Sequence, residues 1–178
     1  VEEAAKHSVG VVVVLPAGQA SGPGQVEGGA TRSESVRRGL AAVPSDATIV
    51  CVHDAARPFA SPVIFQRVIS AVVDGADAAV PGVAVVDTIK QVNESEVVVA
   101  TPRRETLRAV QTPQAFRASS LRRAHEQGGE GTDDAALIER IGGEVVVVEG
   151  EVVNRKITSP EDLEWAVAHA NRLLAGEI

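Results

Sequence analysis

Asp54 and Arg57, three residues apart, are the side chains in this sequence whose types and spacing most invite chemistry. They lie in TIVCVHDAARPF, residues 48–59. An ionised carboxylate beside a guanidinium can hold a metal–phosphate or sugar–phosphate ligand. The same two charges can equally form a structural pair that stiffens a turn. The apolar run Ile49-Val50-Cys51-Val52 is β-branched and too short for a helix, which predicts a strand buried on both faces. Beyond the charged loop, Pro58 fixes the chain, and Ser61-Pro62 reads as a helix N-cap and first helical residue. In open α/β sheets ligands bind just past the carboxyl ends of strands. The charged loop is expected at such a place.

A second candidate is the segment Val26 to Val36. Gly28-Gly29 would let a ligand approach the backbone closely. Thr31 or Ser33 would cap a helix running to about Ala42, with Arg32 and Ser35 one turn apart near its positive end. An ordinary capped helix with a solvated Arg explains the same residues. The Gly-rich loop at 16–25 is not a P-loop: no Lys or Arg lies between Lys6 and Arg32, and GxxxxGK is absent. Asp133-Asp134 reads as acids at a helix start or, less simply, as metal ligands. The four His are scattered without metal-ligand spacing.

Elements must place these groups. A helix tail is expected at 1–7 and a buried strand at Val9–Leu15. An amphipathic helix is expected at 61–74, a short strand at 78–81, and a β-hairpin with Val83–Val92 and Val97–Thr101 as its strands. Leu107–Gln111 is expected to be extended, and Thr112–Phe116 to lead from this arm into a helix at 118–127. A helix at 135–141, strands at 144–148 and 152–158, and a closing helix at 163–174 complete the set. A valine-rich hairpin is not stable alone in water, so a second subunit or its own domain must cover it.

The chain of 178 residues suits a single domain. Aromatic residues are only 2%, so the core must be Val, Ala, Leu and Ile. A net charge of −7 argues against a nucleic-acid groove. One Cys gives no disulfide framework and fits a reducing cytoplasm. No apolar run is long enough to span a bilayer. There is no Met, and the chain begins in a helix-like stretch, so an N-terminal truncation is expected.

Six motifs occur in a telling order: GGxxRxxSV (28–36), VHDAARP (52–58), DTIK (87–90), AVQTPQAF (109–116), TDDA (132–135) and NRKITSPEDL (154–163). On these motifs the sequence resembles the 2-C-methyl-D-erythritol 4-phosphate cytidylyltransferases over nearly its whole length. The resemblance implies a Rossmann-like α/β sandwich of the nucleotide-diphospho-sugar transferase type, with a mixed, mostly parallel sheet and a β-arm at about 83–112 that forms a homodimer. It implies transfer of cytidylyl from CTP to methylerythritol phosphate, with Mg²⁺ and release of pyrophosphate.

It implies that Gly28, Gly29, Ala30 and Ser35 lie near the cytosine with Arg32 close by. Asp54 and Ala55 would sit near the ribose and the metal–phosphate region, and Arg57 beside the sugar phosphate. Thr88, Arg104, Thr112, Thr132 and Lys156 would line the sugar-phosphate pocket, with Arg104 serving the partner subunit and Arg104 and Lys156 holding the incoming phosphate. Two departures stand out. Ala30 replaces an acid common in such proteins. The family's opening strand and Gly-rich loop, with its Arg and Lys, are not found, so the 178-residue chain alone is expected to have negligible activity. A ribitol 5-phosphate cytidylyltransferase, a non-catalytic sugar-phosphate-binding dimer, and fusion to a downstream cyclodiphosphate synthase domain are the rival readings.

Overall fold

The computed structural model describes residues 8–177; the helix tail expected at 1–7 lies outside them. The central sheet has the order β3 (Ile49–Val52), β8 (Gln114–Arg117), β4 (Ala78–Ala84), with β7 (Arg108–Val110) and β9 (Val145–Glu149) also on β4. Strands β7 and β8 share one edge of β4, at Gly82–Ala84 and Ala78–Ala79 respectively. β9 takes the other edge in parallel. The sheet is mixed. β3, β4 and β9 run one way, while β7 and β8 run against them, so the β3–β8, β4–β8 and β4–β7 ladders are antiparallel.

Period-2 alternation sends apolar side chains to both faces of this sheet. Ala78, Val80, Phe116, Val50 and Val145 meet helices α3 (Ala118–Glu126) and α4 (Asp134–Arg140) through Leu121, Ala124, Leu137 and Ile138. Ala79, Ala115, Ile49, Val146 and Val148 meet α2 (Pro62–Val73) through Val68 and Val72. Phe116 and Ile64 are the largest of the fully buried side chains. Two helix layers over a sheet covered on both faces form the sandwich that the motifs imply.

The capping chemistry follows the sequence. Ser61 accepts from the Ile64 amide, with Pro62 at the first helical position of α2. Thr31, not Ser33, caps α1 (Arg32–Ala41) by accepting from the Glu34 amide. Asp133 caps α4 through the Ala136 amide. Ser159 and Asp162 form a complete capping box on α5 (Pro160–Leu174).

Four expectations change. The strand at 9–15 shrinks to β1 (Val13–Leu15), because its partner β2 (Gln25–Glu27) offers only three residues. β3 pairs with β8 alone among the described residues, so it is an edge strand and Cys51 is exposed rather than buried. Thr112–Phe116 is not just an exit from the arm: Gln114–Arg117 is β8, a strand between β3 and β4. Residues 152–158 form no strand. Their backbone bonds go to loops, Ile157 N–H to Ala56 and Asn154 N–H to Glu151.

The arm is present. β4 and β7 form its base, and the short ladder of β5 (Gln91–Val92) and β6 (Val98–Ala100) forms its tip. Asn93 Oδ1 closes the tip turn by accepting from the Ser95 and Val97 amides. Val86, Val97, Val98 and Val99 along it are each more than half exposed. No helix among the described residues is long and apolar enough to cross a membrane.

Candidate active site

The loop after β3 brings the expected charges to one place. Lys156 Nζ lies 2.9 Å from Asp54 Oδ2. The two side chains are 47% and 24% exposed, so the pair is wet and contributes at most about 1 kcal/mol to stability. Such a pair can exchange one partner for a phosphate or a cation at small cost. Ala55, next in the turn, is exposed.

Arg57 is anchored on backbone carbonyls. Its Nη1 donates to the Asn154 carbonyl at 2.8 Å and its Nη2 to the Val110 carbonyl at 3.4 Å. Burial lowers its pKa, with the nearby Asp54 charge opposing that shift. In this geometry the guanidinium clamps the segment that carries Lys156. The two residues before Lys156 are pinned as well. Asn154 Nδ2 donates to the Thr112 carbonyl, and Arg155 pairs with Asp162 while lying 4.6 Å over the Trp165 ring.

Thr112 and His53 form the floor of the site. The Asp54 amide donates to Thr112 Oγ1 at 3.0 Å, and the same oxygen lies 3.0 Å from His53 Nδ1. His53 Nε2 lies 3.1 Å from the Arg57 carbonyl. A carbonyl can only accept, so Nε2 carries the proton. Burial depresses the His53 pKa and favours the neutral ring. Nδ1 is therefore bare and accepts from the Thr112 hydroxyl. His53 was visible in the sequence only as the start of a polar turn. Its role depends on a partner 59 positions away.

The Gly segment builds a separate hollow of about 580 Å³, lined in part by Leu15, Pro16, Gly28, Gly29, Ala30 and Ser35. A Cβ on Gly28 would stand 2.9 Å from Ser35 Oγ and 3.3 Å from the Leu15 carbonyl, so only glycine fits. A Cβ on Gly29 would collide with the Glu34 side chain. Ser35 Oγ accepts from the Gly29 amide, and Glu34 accepts from the Ala30 amide. The Arg32 guanidinium turns to Asp134 at 2.8 Å, away from the bonds that Ser35 makes with the Gly segment.

Thr132 is exposed, and its loop is tied to β8 by Gln114 Nε2 donating to Asp133 Oδ2 at 2.9 Å. Thr88 is exposed on the arm, and Arg104 Nη1 donates to the Val86 carbonyl. Thus Asp54, Arg57, Thr112 and Lys156 are joined into one network. Gly28, Gly29, Ala30 and Ser35 line the hollow. Thr88 and Arg104 belong to the arm and join neither group.

A covered mixed sheet, a glycine-lined hollow at a helix start and a charged loop past a strand end define the class: a Rossmann-like α/β fold of the nucleotide-diphospho-sugar transferase type. The chain belongs to the 2-C-methyl-D-erythritol 4-phosphate cytidylyltransferase (IspD) family, whose model matches residues 11–172. The crystal structure of 2-C-methyl-D-erythritol 4-phosphate cytidylyltransferase from Thermus thermophilus superimposes with a TM-score of 0.82 at 41% identity, covering 96% of this chain and 86% of that one. A protein of the same name from Streptomyces avermitilis is 50% identical over 150 residues, 80% of this chain and 60% of that protein. A bifunctional enzyme IspD/IspF of Nitratidesulfovibrio vulgaris is 54% identical over 142 residues, 78% of this chain and 36% of that protein. The chain therefore spans less than two thirds of the length of these two curated relatives.

The His53 network predicts a pH dependence. The folded-state pKa is depressed, so the contribution of neutral His53 is complete above its ordinary value near 6.5 and is lost as pH falls through the folded value. Chemical denaturation between pH 8 and 4.5 should show the wild-type protein losing stability below about pH 6.5 more steeply than His53→Gln. Parallel pH curves for the two proteins would contradict the assignment.

Proposed function

We propose that the chain carries the catalytic domain of an enzyme that transfers cytidylyl from CTP to 2-C-methyl-D-erythritol 4-phosphate. The products are 4-diphosphocytidyl-2-C-methyl-D-erythritol and pyrophosphate. The observation that carries this reading is the exchangeable Lys156–Asp54 pair, clamped by Arg57 at the end of β3. Family membership supports the choice of substrates.

The nucleophile is a phosphate oxygen that is already anionic, so no side-chain base is required. Its attack on the α-phosphorus of CTP forms one P–O bond and breaks the P–O bond to pyrophosphate. The obstacle is bringing two polyanions together. Lys156 offers a compact charge that can leave Asp54 for the incoming phosphate. Thr112 and His53 keep the Asp54 backbone in place while this happens. Gly28, Gly29, Ala30 and Ser35 would receive the base, with no side chain at the two glycines to block it.

The donor set fits a Mg²⁺ ion only in one manner. Asp54 is the carboxylate on this network, and Mg²⁺ is commonly held by one or two carboxylates together with substrate phosphates and water. Asp54 would hold the ion jointly with the nucleotide, and the ion would supply charge neutralisation at the phosphates. We take the reaction to be cytoplasmic, a reading that a single unpaired cysteine supports.

The arm is read as the dimer contact. Its exposed valines, 52–79% accessible at Val86, Val97, Val98 and Val99, call for a cover. A second copy would supply that cover, and Arg104 and Thr88 would then serve the partner's site.

Two experiments test this reading in the product of the full open reading frame. With CTP and methylerythritol phosphate, pyrophosphate release should be robust, and Asp54→Asn should reduce it about 10²-fold. Equal rates, or turnover with ribitol 5-phosphate in place of methylerythritol phosphate, would contradict it. In sedimentation, Val98→Lys should shift a dimer towards monomer, and a wild-type monomer at micromolar concentration would refute the arm's role.

A further inference from the structure

A chain of polar contacts, centred on a buried carboxylate, joins helices α1, α3 and α4. Arg32 Nη2 donates to Asp134 Oδ2 at 2.8 Å, and His125 Nε2 lies 3.0 Å from Asp134 Oδ1. The Asp134 and His125 side chains are 0% and 3% exposed. Burial works to raise the Asp134 pKa, but the His125 hydrogen bond and the Arg32 charge outweigh it and hold the carboxyl below its usual range. A buried carboxylate is costly unless it is paired, and an apolar residue of similar size often serves stability as well. Asp134 therefore calls for a reason other than stability.

Its position supplies one. Arg32 opens α1 two residues after Ala30, and Asp134 opens α4 two residues after Thr132. Two further bonds brace the Thr132 loop, one from Thr31 at the start of α1 and one from Gln114 of β8. Thr31 Oγ1 donates to Glu130 Oε1 at 3.0 Å, and Gln114 Nε2 donates to Asp133 Oδ2. The hollow and the Thr132 loop are thus fastened to one another through Asp134.

We propose that Asp134, oriented by His125, is a positioning residue that acts through Arg32 to set the glycine-lined hollow and the Thr132 loop as one unit. Naming these as the CTP side and the sugar-phosphate side rests on the proposed function. The mechanical coupling itself does not. Arg32 acts on Asp134, and its contribution to nucleotide binding is indirect.

The test compares Arg32→Gln, Asp134→Asn and the double variant in the full-length protein, by amide hydrogen exchange and by kinetics. Each single variant should speed exchange about ten-fold in both 28–35 and 131–136, and the double variant should be no worse than the worse single, as expected for members of one network. KM for CTP and for methylerythritol phosphate should rise together, with kcat changing less. A purely structural role would lower kcat through the folded fraction and leave both KM values alone. His125→Gln keeps a donor for Asp134 and should give a smaller effect in the same two segments, which covers the case where Asp134→Asn does not fold. Exchange that rises in one segment only, or effects that add in the double variant, would overturn the proposal. A wild-type protein that transfers no cytidylyl would contradict the proposed function instead, and the exchange data would still decide the coupling.

Discussion

The site depends on backbone carbonyls and amides caught by polar side chains from distant parts of the chain. The loop after β3 has no ladder to hold it, since it begins where the strand ends. Thr112 takes the Asp54 amide, His53 takes the Arg57 carbonyl, and Arg57 takes the carbonyl of Asn154. Gln111 adds bonds to the carbonyls of Glu151 and Asn154 and accepts from the Glu151 amide. Gln111, Thr112 and Asn154 are buried, where an unmade hydrogen bond is costly. The loop carrying Lys156 and the loop carrying Asp54 are thereby held as one piece.

Against that fixed frame, the Lys156–Asp54 pair is the soft part. It is partly in water, so neither partner is strongly committed to the other. The proposed binding of a sugar phosphate needs a cation that is oriented but not consumed by a structural role. Arg57 illustrates the contrast. It is the more deeply seated cation, and its Nη1 and Nη2 each already bond a carbonyl. Much of what looked like a ligand-binding guanidinium is scaffold.

The sequence made the helices and their caps readable, because Ser61-Pro62, Ser159-Pro160 and Asp133 act on their own neighbours. It made the order of the motifs readable too. It did not reveal β8, since Pro113 and Gln114 look like loop residues until Gln114 is seen buried against Asp133. Nor did it reveal that 152–158 bonds to loops, because a run opening on two valines fits a strand equally well in isolation. The sequence leaves Arg32 open between a solvated helix residue and a neighbour of the ligand, since nothing local points to Asp134, 102 positions away. Local chemistry was legible, and partners separated by long stretches of chain were not.

In the proposed function, Lys156 trades its carboxylate for the phosphate of the sugar. Titration calorimetry with methylerythritol phosphate on the full-length protein and on Lys156→Met tests it directly. The account predicts affinity at least about ten-fold weaker in the variant, with the unfolding midpoint little changed, since an exposed pair adds little stability. Equal affinity in the two proteins would contradict it.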